Sequence, residues 1–135
     1  MKKDIFIDGE TGTTGLQVHE KLSKHPNINI MSVDQSKRKD ISYKKEMLAK
    51  SDVTFLCLPD EISIETAQIA DELGDKSPII IDASTAHRTN PKWSYGLPEL
   101  GENYRKSIEN SKRIASPGCY STGANVILKP LITSG

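Results

Sequence analysis

The chain is 135 residues long, one domain's worth, and its 18 Lys and Arg balance 18 Asp and Glu, so no net field draws it to nucleic acid or an anionic membrane. Hydrophobic residues make up 36% of it, low for a compact enzyme, which predicts an apolar surface completed by more chain or by partners. No apolar run reaches signal-peptide or membrane-spanning length, and Cys57 and Cys119 lack the spacing of a disulfide framework or zinc site, so a soluble, cytoplasmic, metal-free protein is expected.

Ile5-Phe6-Ile7 reads as a short strand ended by Asp8 and followed by a glycine-rich turn, Gly9 to Gly15. Leu16, Val18 and Leu22 then recur at helical spacing. Ile28 to Val33 reads as a second strand, Asp34 to Asp40 as a polar, basic loop, and Tyr43 to Lys50 as a short helix. Asp52 to Leu58 is a third strand stopped by Pro59. From Ser63 to Leu73, a helix carries Ile64, Ala67, Ile69, Ala70 and Leu73 at helical spacing, with Gly74 placed to end it. Pro78 to Asp82 is a continuous apolar strand, predicted to be buried on both faces of a parallel sheet. A long irregular segment, Ala83 to Gly101, precedes a helix near Asn103 to Asn110 and a strand at Arg113-Ile114-Ala115. The alternation predicts an α/β fold, a doubly wound parallel sheet.

Strand, glycine turn and helix in succession form the context of a dinucleotide fingerprint, here spaced Gly-x-x-Gly-x-x-Gly. Gly9, Thr11, Gly12, Thr13, Thr14 and Gly15 are the candidate pyrophosphate contacts, because glycines admit close backbone approach and the helix N-terminus attracts the anion. A glycine turn that holds no ligand is the alternative. After the second strand, Asp34 suits a ribose 2′-hydroxyl, whereas Ser36, Lys37, Arg38 and Lys39 suit a 2′-phosphate. The cations favour NADP over NAD, against the commoner reading of a solvated charge run.

Cys119 follows the Ser116-Pro117-Gly118 turn and opens a helical run, Ala124 to Lys129. A helix N-terminus favours the thiolate, the nucleophilic form, and polar Tyr120, Ser121 and Thr122 are expected around the sulfur. The plainer reading is a half-buried cysteine that starts a helix. Cys57, inside the third strand, reads as core. The segment 83–101 is too polar for core and too long for an idle turn. In it Arg88 is a candidate anion clamp and His87 a candidate proton handler, although a loop histidine is more often on the surface.

Five motifs occur in order: Gly9 to Gly15, Phe55-Leu56-Cys57-Leu58-Pro59-Asp60, Ile81 to Arg88, Tyr95-Gly96-Leu97-Pro98-Glu99 and Ser116-Pro117-Gly118-Cys119-Tyr120. Together they resemble the shorter type of N-acetyl-gamma-glutamyl-phosphate reductase, of arginine biosynthesis. Aspartate-semialdehyde dehydrogenases share the glycine turn but set their cysteine in an Asn-Pro-x-Cys context. The resemblance implies a Rossmann-like NADP(H)-binding domain over residues 1–115, and over 116–135 the catalytic-cysteine loop and first helix of a substrate domain. It implies reduction of the small-molecule substrate N-acetylglutamyl phosphate to its semialdehyde, with Cys119 as nucleophile through a thioester. Gly9 to Gly15 would hold the pyrophosphate, Ser36, Lys37 and Arg38 the adenosine phosphate, and Pro59 and Ser84 further parts of the cofactor. Ser84 and Arg88 would line the junction of nicotinamide and substrate.

Family members continue into a substrate domain that brings a catalytic histidine and the oligomer interface. A homo-oligomer is therefore expected at full length, and little reductase activity from these residues alone, since losing general acid–base catalysis typically costs ~100- to 10,000-fold. Two other readings stay open: a non-catalytic NADP-binding remnant, and a semialdehyde dehydrogenase acting on another acyl group.

Overall fold

Strand pairing decides the architecture. The computed structural model describes residues 1–135, with β1 (Lys3–Asp8), α1 (Thr13–Leu22), β2 (Ile28–Ile30), α2 (Ile41–Lys50), β3 (Val53–Leu56) and α3 (Asp60–Asp71). There follow β4 (Ile79–Asp82), β5 (Ser94–Tyr95), α4 (Glu102–Glu109), β6 (Arg113–Ala115) and α5 (Cys119–Ser134). The six strands form one sheet in the order β2-β1-β3-β4-β6-β5, and every pairing is parallel. Parallel neighbours require crossovers, which the intervening helices supply. The chain leaves β1 in one direction to β2 and then crosses to β3 on its other side. That reversal opens a crevice at the carboxyl ends of β1 and β3, where open α/β sheets take their ligands.

Register places Phe6, Leu56 and Ile80 on one face, where they pack with Met47 and Leu48 of α2 and Ile69 and Ala70 of α3. On the opposite face α1 packs on β1 and β2, and Ile5 and Ile7 are buried. Burial then falls away along that face: Val53, Phe55, Ile81 and Ile114 are half-buried, and Ile79 is 37% exposed. The expectation that the fourth strand is buried on both faces is corrected accordingly, because α1 lies over β1 and β2 rather than over β4.

Local chemistry explains the shifted boundaries. Asp40 caps α2 by accepting from the backbone N–H groups of Ser42 and Tyr43, so the helix begins at Ile41 rather than Tyr43. α3 starts at Asp60, directly after Pro59, with Asp60 and Glu61 in its first turn, where negative charge complements the helix dipole. Ile64, which shares the helical spacing of Ala67 and Ile69, is 41% exposed. β2 stops at Ile30, three residues short of the reading from sequence. β5 was not anticipated; its two residues sit inside the long polar segment and pair with β6. α5 runs through Pro130 to Ser134 and leaves Val126, Ile127, Leu128, Leu131 and Ile132 exposed. No helix is long and apolar enough to cross a membrane.

Two helical glycines respond oppositely to a methyl group. A Cβ on Gly15 would stand 2.1 Å from the Gly9 carbonyl oxygen, whereas one on Gly123 meets nothing within 4 Å. Gly15→Ala is expected to destabilise by at least the ~1–3 kcal/mol of core overpacking. Gly123→Ala is expected to stabilise by up to ~1 kcal/mol through helix propensity. Urea unfolding followed by circular dichroism measures both, and equal stability of Gly15→Ala and the parent contradicts the packing described.

Candidate cofactor and cysteine site

The glycine turn is shaped by contact with its own neighbours. Gly9 has φ +90° and a Cβ there would lie 2.3 Å from the Cys57 carbonyl oxygen, so the β1 exit presses directly on the β3 exit. The Gly12 N–H donates to the Gly9 carbonyl at 3.1 Å. Gly12 is the N-cap of α1 and no side chain caps this helix, which leaves the first-turn N–H groups, from Thr13 onward, available to an anion.

Beside this turn lies a cavity of about 400 Å³. Gly9 and Thr11 line one side, Val33, Ile41, Leu58 and Ile62 give it apolar walls, and Arg38 and Lys39 bring positive charge. Asp8, Glu10 and Glu65 line the cavity as well, so its charge is mixed rather than uniformly positive; the uncapped helix start, the apolar walls and the two cations after β2 together suit a dinucleotide. Lys44 also lines it; its ammonium lies 2.9 Å from Asp8 Oδ2 and donates to Thr66 Oγ1 at 3.0 Å. Asp8 Oδ2 makes no well-directed hydrogen bond, so this contact is a close ion pair rather than an aligned bond.

Of the basic run, Arg38 and Lys39 reach the cavity, while Ser36 and Lys37 stand outside its lining. Asp34 explains the split: it accepts from the Ser36 N–H at 3.0 Å and the Ser36 hydroxyl at 2.6 Å. Lys37 turns toward Asp34 at 3.9 Å and over the Tyr43 ring. The Ser36 hydroxyl, then the Ser36 amide, and Lys37 hold the Asp34 carboxyl below its ordinary range. Sequence reasoning missed Val33, Ile41, Ile62 and Lys44, whose apolar and basic character reads equally well as core or surface. It also missed a link from Gln35 Nε2 to Glu10 Oε1 at 2.6 Å, which joins the glycine turn to the loop after β2.

The cysteine end is organised from β4. Asp82, fully buried at the end of that strand, accepts from the Ser84 N–H at 2.9 Å and the Ser84 hydroxyl at 2.7 Å. Its Oδ2 also lies 2.6 Å from His87 Nδ1. His87 is 6% exposed and stacks on Trp93 with ring centroids 3.9 Å apart, so the surface expectation for this histidine is corrected: the Asp82 contact and the indole draw it inward. Pro59 is the N-cap of α3, and the next residue, Asp60, accepts from both the amide and the hydroxyl of Thr85. The Thr85 hydroxyl and then its amide keep the Asp60 carboxyl below the usual range.

Cys119 is exposed and is the first residue of α5, with Gly118 as N-cap. The Ser121 and Thr122 hydroxyls donate back to the Gly118 carbonyl and Tyr120 is 92% exposed. The two hydroxyls are thus engaged by the carbonyl at the helix start. Arg88 reaches the same turn: its Nε donates to the Ser116 carbonyl at 3.0 Å and its Nη2 to the Ala83 carbonyl at 3.4 Å. Cys57 is half-buried, and burial, with the charges of Asp8 and Asp82, pushes its thiol up to about 11.

Residues 4–110 match the family described as semialdehyde dehydrogenase, NAD binding domain. The N-acetyl-gamma-glutamyl-phosphate reductases of Brucella ovis and Brucella canis are each 41% identical over all 135 residues, which span 43% of their length. The chain thus covers less than half of these curated relatives. Among solved structures, aspartate semialdehyde dehydrogenase with NADP from Candida albicans matches with a TM-score of 0.72 at 16% identity, over 99% of this chain and 48% of that one. Aspartate semialdehyde dehydrogenase II from Vibrio cholerae matches with a TM-score of 0.71 at 19% identity, over 99% of this chain and 43% of that one. At these identities the structural likeness establishes the fold.

Iodoacetamide near neutral pH is expected to modify exposed Cys119 well before Cys57, whose thiol resists ionisation; equal rates by peptide mass spectrometry contradict the site described. Stability should also respond to alkali through Cys57. Its folded pKa is raised from 9.0 to about 11, so its contribution is full below pH 9 and lost as pH rises toward 11. Cys57→Ala should flatten that alkaline loss in urea titrations.

Proposed function

The chain belongs to the semialdehyde dehydrogenase family by its NAD-binding domain, and we propose that it carries the NADP(H) site and the nucleophile of an N-acetyl-gamma-glutamyl-phosphate reductase. In this reading residues 1–115 hold the cofactor and 116–135 begin the substrate domain. The observation that carries it is the joint presence, at the carboxyl edge of one parallel sheet, of the uncapped glycine turn with the cavity that Arg38 and Lys39 help line and of Cys119 at the start of α5. Identity of 41% along the whole chain to reductases of that name supports the acyl substrate.

Gly9 to Gly15 and the first N–H groups of α1 bind the pyrophosphate. Arg38 and Lys39 read the adenosine 2′-phosphate with charge-assisted hydrogen bonds, which is the basis for preferring NADP. Val33, Ile41, Leu58 and Ile62 receive the adenine. When bound, the reduced cofactor supplies hydride. Cys119 Sγ, as thiolate, attacks the acyl carbon of the acyl phosphate; the C–S bond forms, the bond from carbon to the phosphate oxygen breaks, and phosphate leaves with the electron pair. N–H groups at the α5 N-terminus face the developing oxyanion. After reduction, the negative oxygen of the thiohemiacetal anion reforms the C=O bond as the C–S bond breaks, so the aldehyde departs and the sulfur leaves with the electron pair as thiolate.

Calorimetry with NADP⁺ and NAD⁺ tests the cofactor reading. Arg38→Ala should weaken NADP⁺ by about tenfold or more, the size of a lost hydrogen bond to a charged group, and leave NAD⁺ near its parent affinity. Equal losses for both would remove the 2′-phosphate assignment. For the chemistry, phosphate-dependent reduction of NADP⁺ by N-acetylglutamate semialdehyde is followed at 340 nm (the nicotinamide band) with the full-length gene product. Cys119→Ser should abolish it, and turnover persisting in that variant excludes the thioester route.

A further inference from the structure

We propose that Arg88 is the positioning residue for Cys119: its guanidinium staples the Ser116–Gly118 turn to the loop leaving β4 and so fixes where the sulfur stands. This rests on the reading of Cys119 as nucleophile.

The loop after β4 is built as a rigid support. Asp82 holds Ser84 and His87 from beneath, and Asp60, on the first turn of α3, holds Thr85 from the side. Arg88 leaves this support and spans two backbone segments, with Nε on the Ser116 carbonyl and Nη2 on the Ala83 carbonyl. Ser116 is held a second time, by its own N–H donating to the Asp82 carbonyl at 2.8 Å. The first residue of the cysteine turn therefore has both its backbone groups tied to the β4 exit. At the other end of the turn, a Cβ on Gly118 would stand 2.8 Å from Arg88 Nη1, so glycine and guanidinium share one space immediately before Cys119. A planar fork reaches two carbonyls on separate segments; a single ammonium on a flexible stem holds such a pair poorly. Gly118 and the guanidinium thus lie against one another at the start of α5, and a methyl group at Gly118 must displace the guanidinium tip.

The test is a double-mutant cycle read by peptide-resolved iodoacetamide labelling of Cys119 in the whole 135-residue chain, with Cys57 as internal reference and circular dichroism to verify the fold. Arg88→Met keeps the bulk and removes the donors. It is expected to slow Cys119 labelling roughly tenfold, a coupling typical of residues in one network. Arg88→Lys, which keeps one donor group, should recover part of the rate; a side chain that only fills space would be matched better by methionine. Gly118→Ala should slow labelling similarly by displacing the guanidinium, and should add nothing in the Arg88→Met background. Parental labelling in folded Arg88→Met, or effects of the two substitutions that multiply, overturns the proposal. If Arg88→Met does not fold, Gly118→Ala alone decides it, since an unchanged rate there overturns the staple. Should Cys119 of the parent label no faster than Cys57, the nucleophile reading itself has failed, an outcome separate from any variant effect.

Discussion

Asp82 has no exposed surface, and a carboxyl group in that position loses its hydration and costs several kcal/mol unless its oxygens are hydrogen-bonded. Those bonds come from the next residues along the chain, Ser84 and His87. Satisfying Asp82 therefore dictates the path of the backbone as it leaves β4. Trp93 closes over His87, which shields the network from water and strengthens it. Everything later in the chain that concerns the cysteine inherits this geometry: the direction of Arg88, the placement of Ser116, and the start of α5.

The opposite end of the site is governed by steric closeness rather than by polar satisfaction. β1 and β3 exit so near one another that Gly9 meets the Cys57 carbonyl, and the first turn of α1 lies so near that Gly15 meets Gly9. Side chains at either glycine would push the helix N-terminus away from the sheet. The result is a bare set of N–H groups beside a cavity of about 400 Å³. The two ends follow the order of strands in the sheet, with the cavity around the exits of β1, β2 and β3 and the cysteine turn beyond β4 after β6.

Charge is arranged differently in the interior and outside. Exposed pairs such as Lys24–Glu20 and Lys50–Glu46 contribute little, because water screens them and long side chains lose entropy in pairing. Lys44 and Asp8 are mostly buried, so each needs the other, and removing one would strand its partner in a site of low polarity. This ion pair forms part of the cavity wall, which ties the stability of α2 on β1 to the shape of that cavity.

Much of this was legible in the residues themselves. Ile5-Phe6-Ile7, the glycine turn and the periodic Leu16, Val18 and Leu22 announced β1, its exit and α1, since alternation, φ freedom and helical spacing are local properties. Pro117-Gly118-Cys119 announced a helix opened by a cysteine for the same reason. Local reading failed where distant segments decide. That Ile79 is exposed while Ile80 is buried depends on which helix covers which strand, and a continuous apolar run carries no sign of it. The lining of the cavity by Arg38 and Lys39 depends on where α3 and the glycine turn stand, since Ile62, Gly9 and Thr11 form its other walls. The inward turn of His87 needed Asp82 and Trp93 in place, and the grip of Arg88 on Ser116 joins residues 28 positions apart. The sequence by itself determined most of the elements, the glycine turn and the helix that Cys119 opens, because steric and periodic constraints act between near neighbours. Tertiary structure alone decided which charged and polar groups face one another, because burial is a property of the assembled sheet.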